Sequence, residues 1–158
     1  TTWSRGLGDV YKRQIWMKKG NKKISEISKS FKSKITTDIS GFGLASHLSD
    51  ICKFSGLSAE IKLNEEILIN KNIEILNKFK STGFENNYSS SSNEISISVN
   101  NKLQNILYDP QTNGPLLISI EKDDQIKFEK DFQSVIGFSP ILVGQFKKFK
   151  NKLINVID

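Results

Sequence analysis

The sequence predicts an α/β (α+β) domain in which helices cover a mixed β-sheet. Polar and apolar residues alternate over 57–63 and 94–99, which is typical of half-buried strands. Apolar residues recur three or four positions apart over 24–31 and 44–52, which indicates helices with one buried face. Because the two kinds of segment alternate along the chain, we expect strands and helices to pack in layers.

The composition fits an ordinary globular protein. Of the 158 residues, 37% are hydrophobic and 25% are charged, which suffices for one domain with a core. No apolar run approaches the roughly 20 residues that cross a bilayer, and the first residues lack the apolar centre of a signal peptide. We therefore expect a cytoplasmic protein without a membrane partner.

The charge and the single cysteine narrow the function classes. The formal net charge is +6, but the lysines are scattered and no basic-aromatic motif of an RNA-binding sheet occurs. We therefore expect no nucleic-acid partner, and strongly salt-dependent binding to DNA or RNA would contradict this.

Cys52 is the only cysteine, which excludes a disulfide framework, and it falls on the apolar face of a predicted helix. We expect a buried, unreactive thiol there.

The first 14 residues do not have the pattern of a folded element. Residues 9–14, DVYKRQ, are what the DNA sequence GATGTGTATAAGAGACAG would encode, and this DNA resembles a transposon end used in preparing sequencing libraries. We interpret residues 1–14 as a non-native segment and leave them out of the fold prediction. An intact native gene that encodes the same hexapeptide would contradict this interpretation.

Local patterns predict the elements that follow. Residues 15–31 indicate a helix, and residues 35–39 indicate a strand. A second helix should run from Leu44 until Gly56 caps its C-terminal end. Residues 57–63 then form the first alternating strand.

The middle of the chain is predicted to be more polar. Asn64 should cap a short turn, and Asn70 should open a helix. That helix would pack through an apolar stripe of Ile73, Leu76 and Phe79. Residues 81–94 are rich in Ser and Asn, and we expect a loop there.

The last third of the chain is predicted from turn residues and apolar runs. A short helix over 102–107 should end before Asp109, because Pro110 restricts that residue to extended angles. A further helix should begin at Asp123 and turn inward the residues Ile126, Phe132 and Val135. Buried strands are expected over 116–120, 140–144 and 153–157.

The run 36–48, TTDISGFGLASHL, is the first candidate site. Gly41 and Gly43 permit backbone angles that other residues avoid, and they let the chain pass close to a ligand. Asp38 lies at the predicted strand end beside a helix start, which suits a cation and the phosphates that it carries. By spacing alone, a plain β–α turn with Asp38 as a solvated or capping acid is an equally good interpretation. His47, the only histidine, is expected to pack or to form a hydrogen bond.

The run 108–117, YDPQTNGPLL, is the second unusual stretch. Together, the two runs resemble the selenophosphate synthetase (selenide, water dikinase) family. The first run is similar to that family's Thr-Asp-Val-Thr-Gly-Phe-Gly-Leu segment, and the second to its Asp-Pro-Gln-Thr-Ser-Gly-Gly-Leu-Leu segment. The runs occur in the family's order, and the resemblance covers residues 36–158.

The resemblance implies a fold and a reaction. The fold would be a C-terminal domain like that of the aminoimidazole ribonucleotide synthetase-like superfamily. Full-length members have two half-domains and act as homodimers. Their reaction converts ATP, selenide and water to selenophosphate, AMP and phosphate with Mg²⁺. By this comparison, residues 15–35 are a helix that remains from the inter-domain region, and residues 36–158 are the C-terminal domain.

The resemblance also implies roles for particular residues. Asp38 matches the family's magnesium-ligating aspartate, and Asn87 matches the last residue of a Gly-Thr-x-x-Asn pattern near the nucleotide. Gly41, Gly43 and Asn87 are therefore our candidates for nucleotide binding. The family takes its catalytic cysteine or selenocysteine, with a lysine, from the N-terminal half. We thus assign no catalytic residue here and expect the chain to be inactive alone.

Two departures from the family pattern keep alternatives open. Phe84 stands where threonine is usual, and Pro115 stands where a glycine is usual. A degenerate, non-catalytic paralogue is therefore one alternative. The second alternative is another ATP-using enzyme of the same superfamily. A cysteine or selenocysteine beside lysine in the missing half would decide between that enzyme and a selenophosphate synthetase.

Overall fold

The structure is a computed structural model, and it describes residues 20–68, 73–78, 80–98 and 102–157. The chain divides into two compact units, Thr1–Ile39 with Thr112–Pro140 and Ser40–Gln111 with Ile141–Asp158. Several predictions made from the sequence concern residues outside these ranges. They are the non-native segment, the start of the first helix before residue 20, the helix start at Asn70, the packing of Phe79 and the strand position of Val99.

Five α-helices and six strands are interspersed along the described residues. The α-helices are α1 (Lys22–Ser30), α2 (Gly43–Ser55), α3 (Ile73–Lys78), α4 (Thr82–Ser91) and α5 (Gln125–Ile136). The strands are β1 (Ile35–Asp38), β2 (Leu57–Lys62), β3 (Ile95–Ile97), β4 (Leu116–Ser119), β5 (Gly144–Lys148) and β6 (Ile154–Ile157). Short 3₁₀ turns cover Glu65–Ile67, Ser92–Glu94, Gln104–Tyr108 and Lys122–Asp124. Among the described residues, no helix has both the length and the apolar character to span a membrane.

The first unit packs α1 and α5 beside a two-stranded sheet. Strands β1 and β4 are antiparallel, and Asp38 pairs with Leu116 at one end of the ladder. The core centres on Ile27, Phe128 and Phe132. The Phe31 and Phe128 rings are nearly perpendicular with their centroids 5.3 Å apart, which is a favourable aromatic geometry.

The inward face of α5 differs from the prediction. Phe132 is buried as expected, but Ile126 and Val135 are mostly exposed. Phe128 and Ile136 take their places, because the positions i, i+4 and i+8 lie on the face that meets α1. The helix ends at Gly137, whose φ of 91° is the left-handed cap that glycine favours.

The second unit is built on a four-stranded mixed sheet in the order β3-β6-β2-β5. β6 runs parallel to β2 and β3, whereas β5 is antiparallel to β2. One face packs on α2 and buries Ala59, Ile61, Ile154 and Val156. The other face is polar, and there Lys147 pairs with Glu60 at 2.6 Å. The predicted mixed sheet with covering helices is therefore confirmed.

Local caps in this unit follow the prediction. Gly56 ends α2 with a φ of 69°, and the side chain of Asn64 accepts the Glu66 N–H at 3.0 Å. Cys52 is buried, and desolvation raises the pKa of its thiol. The expected burial of Cys52 is confirmed, and its lack of reactivity stays a prediction.

The predicted loop over 81–94 is wrong, because most of it is the helix α4. Ser81 caps this helix by accepting the Phe84 N–H on its hydroxyl oxygen at 3.1 Å. Phe84, Asn87 and Ser91 point inward at helical spacing. Two of these three residues are polar, so the inward stripe does not appear in a hydrophobicity pattern.

The predicted buried strand over 140–144 is also wrong. Ile141 and Leu142 are exposed, and the strand β5 begins only at Gly144. β5 lies at one edge of the four-stranded sheet, so most of its side chains are exposed. The apolar run before it was therefore a poor guide to burial.

Replacing Gly144 with alanine should destabilise the second unit. A Cβ atom there would lie 2.8 Å from the Ile61 Cα and closer still to the Glu60 carbonyl oxygen. We expect the free energy of unfolding of Gly144→Ala to fall by about 1–3 kcal/mol. Urea unfolding measures this, and Gly20→Ala is the matched control because no atom lies within 4 Å of its added Cβ. Equal stabilities for the two variants would contradict the close approach of β5 to β2.

Candidate functional site

Asp38 is the last residue of β1 and belongs to the first unit. Its side chain is exposed, and it forms no hydrogen bond or ion pair within the described residues. The next residue ties this strand end to the second motif run: the Ile39 N–H donates to the Pro115 carbonyl at 3.0 Å, and the Gly114 N–H donates to the Ile39 carbonyl at 3.2 Å. The strand end therefore presents a free carboxylate beside the segment that contains Pro115.

A free carboxylate suits a magnesium ion but is not a complete site. Mg²⁺ prefers hard oxygen ligands and is commonly held by one or two carboxylates with phosphates and waters. Within the described ranges, no cluster of three or more His, Cys, Asp or Glu side chains has the geometry of a metal site. Asp38 fits the role of one ligand, and the other ligands would have to come from elsewhere.

The glycine turn of residues 40–43 belongs to the second unit. The Ser40 carbonyl accepts the Gly43 N–H at 3.0 Å, which closes the turn, and also accepts the Gln111 N–H at 3.2 Å. Residues of the two motif runs are therefore hydrogen-bonded within this unit. α2 begins directly after the turn, and no side chain caps it.

Gly43 is required here for two reasons. Its φ is 74°, which is the left-handed region that favours glycine. A Cβ atom would also lie 2.9 Å from the Leu107 carbonyl oxygen and 3.1 Å from the Tyr108 carbonyl carbon. The glycine thus lets the helix start pack directly on the backbone that leads into Asp109.

Asn87 joins the same two segments through its side chain. It is only 6% exposed, and Nδ2 donates to the Gly41 carbonyl at 2.9 Å and to the Tyr108 carbonyl at 3.0 Å. The second unit therefore brings together three of the predicted site residues: Gly41, Gly43 and Asn87. The fourth, Asp38, lies in the first unit.

His47 holds the start of the turn. The Ser40 N–H donates to Nε2 at 3.1 Å, and the Ser40 hydroxyl oxygen lies 3.0 Å from the same nitrogen. Because Nε2 accepts a backbone N–H, it carries a lone pair, and the ring proton of the neutral form is on Nδ1. The hydrogen-bonding role that the sequence predicts for His47 agrees with this geometry.

The two departures from the family pattern have different structural outcomes. Phe84 is buried and packs edge-on against Tyr108 with the centroids 5.9 Å apart, so it acts as a core residue. Burial and the neighbouring Tyr88 raise the pKa of the Tyr108 hydroxyl to about 12. Pro115 is exposed just before β4, a position that a strand tolerates, and its carbonyl takes part in the bond to Ile39 described above.

Asp109 is a candidate that sequence analysis missed. It is half-buried, and within the described residues its carboxylate accepts one hydrogen bond, from Nε2 of Gln111 at 2.5 Å. Burial raises the pKa of this carboxyl, and the Gln111 bond partly offsets that rise. By contrast, the half-buried Glu60 and Glu94 each have a lysine nitrogen at 2.6 Å. Among the described residues Asp109 has no cationic partner, and a half-buried acid of this kind is often part of a functional site. The signal in the sequence was its place at the start of the Asp-Pro-Gln-Thr run.

Residues 9–136 match the family described as AIR synthase related protein, C-terminal domain. The match covers most of the chain, and the chain therefore belongs to this family. The predicted fold class and superfamily are thus confirmed.

The chain is also similar to individual proteins that share one name. The chain is similar to selenide, water dikinase of Treponema denticola, with 28% identity over 142 residues, which is 86% of this chain and 40% of the relative. It is similar to the proteins of the same name from Sulfurimonas denitrificans, with 36% identity over 126 residues (77% and 35%), and from Clostridioides difficile, with 30% over 140 residues (87% and 40%). The chain thus spans about 40% or less of these relatives, and the resemblance that the two runs predicted is confirmed.

The charge of Asp109 should reduce stability at neutral pH. The carboxyl has a higher pKa in the folded state than in the unfolded state, so the native protein binds this proton more tightly. The resulting penalty is absent below the unfolded pKa and is complete once the pH has risen above the folded pKa. We expect Asp109→Asn, which keeps an acceptor for Gln111, to raise the melting temperature at pH 7 and to have little effect near pH ~3.

Thermal unfolding at the two pH values tests this, with Asp50→Asn at an exposed position of α2 as the control. A neutral-pH melting temperature for Asp109→Asn that is equal to or below that of the unsubstituted chain would show that the carboxylate is compensated after all.

Proposed function

We propose that this chain is the C-terminal portion of an ATP-dependent selenide, water dikinase, which makes selenophosphate, AMP and phosphate from ATP, selenide and water. The main support is the meeting of the two motif runs in the second unit, where Asn87 and Gly43 join the glycine turn to the segment before Asp109. The names of the relatives agree with this proposal.

We propose separate roles for the two parts of the first motif run. Asp38 holds Mg²⁺, since its carboxylate is exposed and has no other partner within the described residues. When bound, Mg²⁺ would offset the negative charge that develops on phosphate oxygens during phosphoryl transfer. Gly41 and Gly43 of the glycine turn, together with Asn87 on α4, form the nucleotide site, because this turn has a free backbone edge and an uncapped helix start.

The remaining features of the parent protein are part of the same proposal. Residues 1–14 are non-native, residues 15–35 come from the inter-domain region, and residues 36–158 form the C-terminal domain. The parent supplies the catalytic residues from its other half and acts as a homodimer. Its cytoplasmic location stays a prediction.

A second candidate is a degenerate paralogue that has kept the fold without catalysis. The buried ring of Phe84 favours it, because a core phenylalanine cannot replace the hydrogen bonds of a threonine hydroxyl. A full-length version with bound nucleotide but without turnover would identify this case.

The isolated chain should not make selenophosphate, because the proposed catalytic residues lie outside it. Phosphorus NMR of a reaction with ATP, Mg²⁺ and selenide measures the product directly. The positive control is the full-length protein once the upstream coding sequence has been recovered. Selenophosphate formed by the isolated chain would show that the active residues are within these 158 residues.

In the full-length protein, Asp38→Asn should weaken Mg²⁺-dependent ATP binding by about tenfold or more, because a direct carboxylate ligand is lost. Stability should change by less than about 0.5 kcal/mol, since the side chain is exposed and unpaired. Calorimetric titration with and without Mg²⁺ measures the effect, and Glu26→Gln on α1 is the control for loss of an exposed acid. Unchanged Mg²⁺ dependence would remove Asp38 from the site.

A further inference from the structure

Two carbonyl groups of the glycine turn, those of Ser40 and Gly41, accept hydrogen bonds within the second unit. The Ser40 carbonyl accepts two backbone N–H groups, from Gly43 and Gln111. The Gly41 carbonyl accepts a hydrogen bond from Asn87 at 2.9 Å. The two peptide groups that contain these carbonyls, Ser40–Gly41 and Gly41–Phe42, therefore have a fixed orientation.

Fixed carbonyls determine where the neighbouring N–H groups point. No cis peptide bond occurs in the described residues. In a planar trans peptide, the C=O and the N–H point in opposite directions. The N–H groups of Gly41 and Phe42 therefore point away from the partners of the Ser40 and Gly41 carbonyls. Neither N–H has a hydrogen-bond partner among the described residues, so both are free to donate to an anion.

Asn87 is poorly suited to contact a phosphate itself. Its amide has two donor hydrogens, and the Gly41 and Tyr108 carbonyls take both. Oδ1 is an acceptor only and cannot pair with a phosphate oxygen. Whatever Asn87 contributes to nucleotide binding must therefore act through the groups that it holds.

We propose that Asn87 is a positioning residue that fixes the Gly41–Phe42 peptide so that the Phe42 N–H donates to a phosphate oxygen of the nucleotide. This inference rests on the proposed function, since it assumes that the turn binds the nucleotide. The uncapped start of α2 adds further N–H groups and a favourable helix dipole at the same end of the helix. The Tyr108 carbonyl is the second anchor of the amide, so the position of the turn depends on the segment before Asp109.

Phe42→Pro tests the donated N–H without touching Asn87. Proline lacks the N–H, and its ring suits the φ of −83° at this position. The Phe42 side chain is 67% exposed, so its loss removes little packing. Phe42→Ala also lacks the phenyl ring but keeps the backbone N–H. The comparison of the two variants therefore tests the loss of the N–H donor.

The probe is ADP with Mg²⁺, titrated into the full 158-residue chain and followed through the ¹⁵N amide shifts of Leu44 and Ala45. We expect Phe42→Pro to bind at least about tenfold more weakly than Phe42→Ala, the effect of losing one hydrogen bond to a charged group. Equal affinities for the two variants would overturn the inference.

Asn87→Ser tests the positioning step, with the exposed Asn86→Ser as the matched control. The ¹³C shift of the Gly41 carbonyl should change only in Asn87→Ser, because only that variant removes its donor. Affinity for ADP with Mg²⁺ should fall in the same variant. If Asn87→Ser binds as tightly as Asn86→Ser, Asn87 is not a positioning residue.

The remaining outcomes separate the two proposals. If the unsubstituted chain shows no shifts with ADP and Mg²⁺, the nucleotide assignment of the turn fails, and the inference fails with it. If the chain binds and only the variants behave contrary to expectation, the proposed function stands and the inference fails. If Asn87→Ser does not fold, the comparison of Phe42→Pro with Phe42→Ala decides.

Discussion

The second unit depends on one buried side chain, Asn87, that donates to two backbone carbonyl groups without a backbone hydrogen-bond partner in any described helix or strand. Asn87 donates to the carbonyls of Gly41 and Tyr108, which lie 46 and 21 residues away in sequence. A buried carbonyl without a partner would cost roughly 1–3 kcal/mol, so a single amide stabilises both segments. It also fixes the glycine turn relative to the backbone that leads into Asp109.

The same packing explains why the turn tolerates no side chain at Gly43. The start of α2 lies directly against the backbone of residues 107–109, and the positive φ excludes most other residues in any case. In this arrangement the Ser40 and Gly41 carbonyls accept hydrogen bonds within the unit, whereas the N–H groups of Gly41 and Phe42 have no partner among the described residues. Local chain geometry and the proposed anion binding therefore have one common cause.

The Asp109 carboxylate differs from the other half-buried acids of this unit in its hydrogen-bond partner. Glu60 and Glu94 are paired with lysines, whereas the only partner of the Asp109 carboxylate within the described residues is the neutral amide of Gln111. Proteins often accept lower stability at positions where a ligand or a partner completes the site. The chain spans about 40% or less of the length of the relatives that it matches.

Much of the fold was accessible from local patterns. Gly56, Asn64 and Pro110 each act on their immediate neighbours, and the ends of α2, the Asn64 turn and the 3₁₀ segment before Asp109 follow from them. The strand over 57–62 follows from its alternation. The failures came where burial was not local, as in α4, the exposed run before β5, and the outward positions of α5.

By itself, the sequence determined the family, the alternation of strands and helices, and the chemical character of Asp38, Gly41, Gly43 and Asn87. Only the tertiary structure showed that Asn87 donates to two distant carbonyls and that Asp109 is half-buried without a cation. It also placed Asp38 in a different unit from the other three residues. The reason is physical: caps and periodicity act within a few residues, whereas a buried amide or acid depends on partners that only the folded chain brings near.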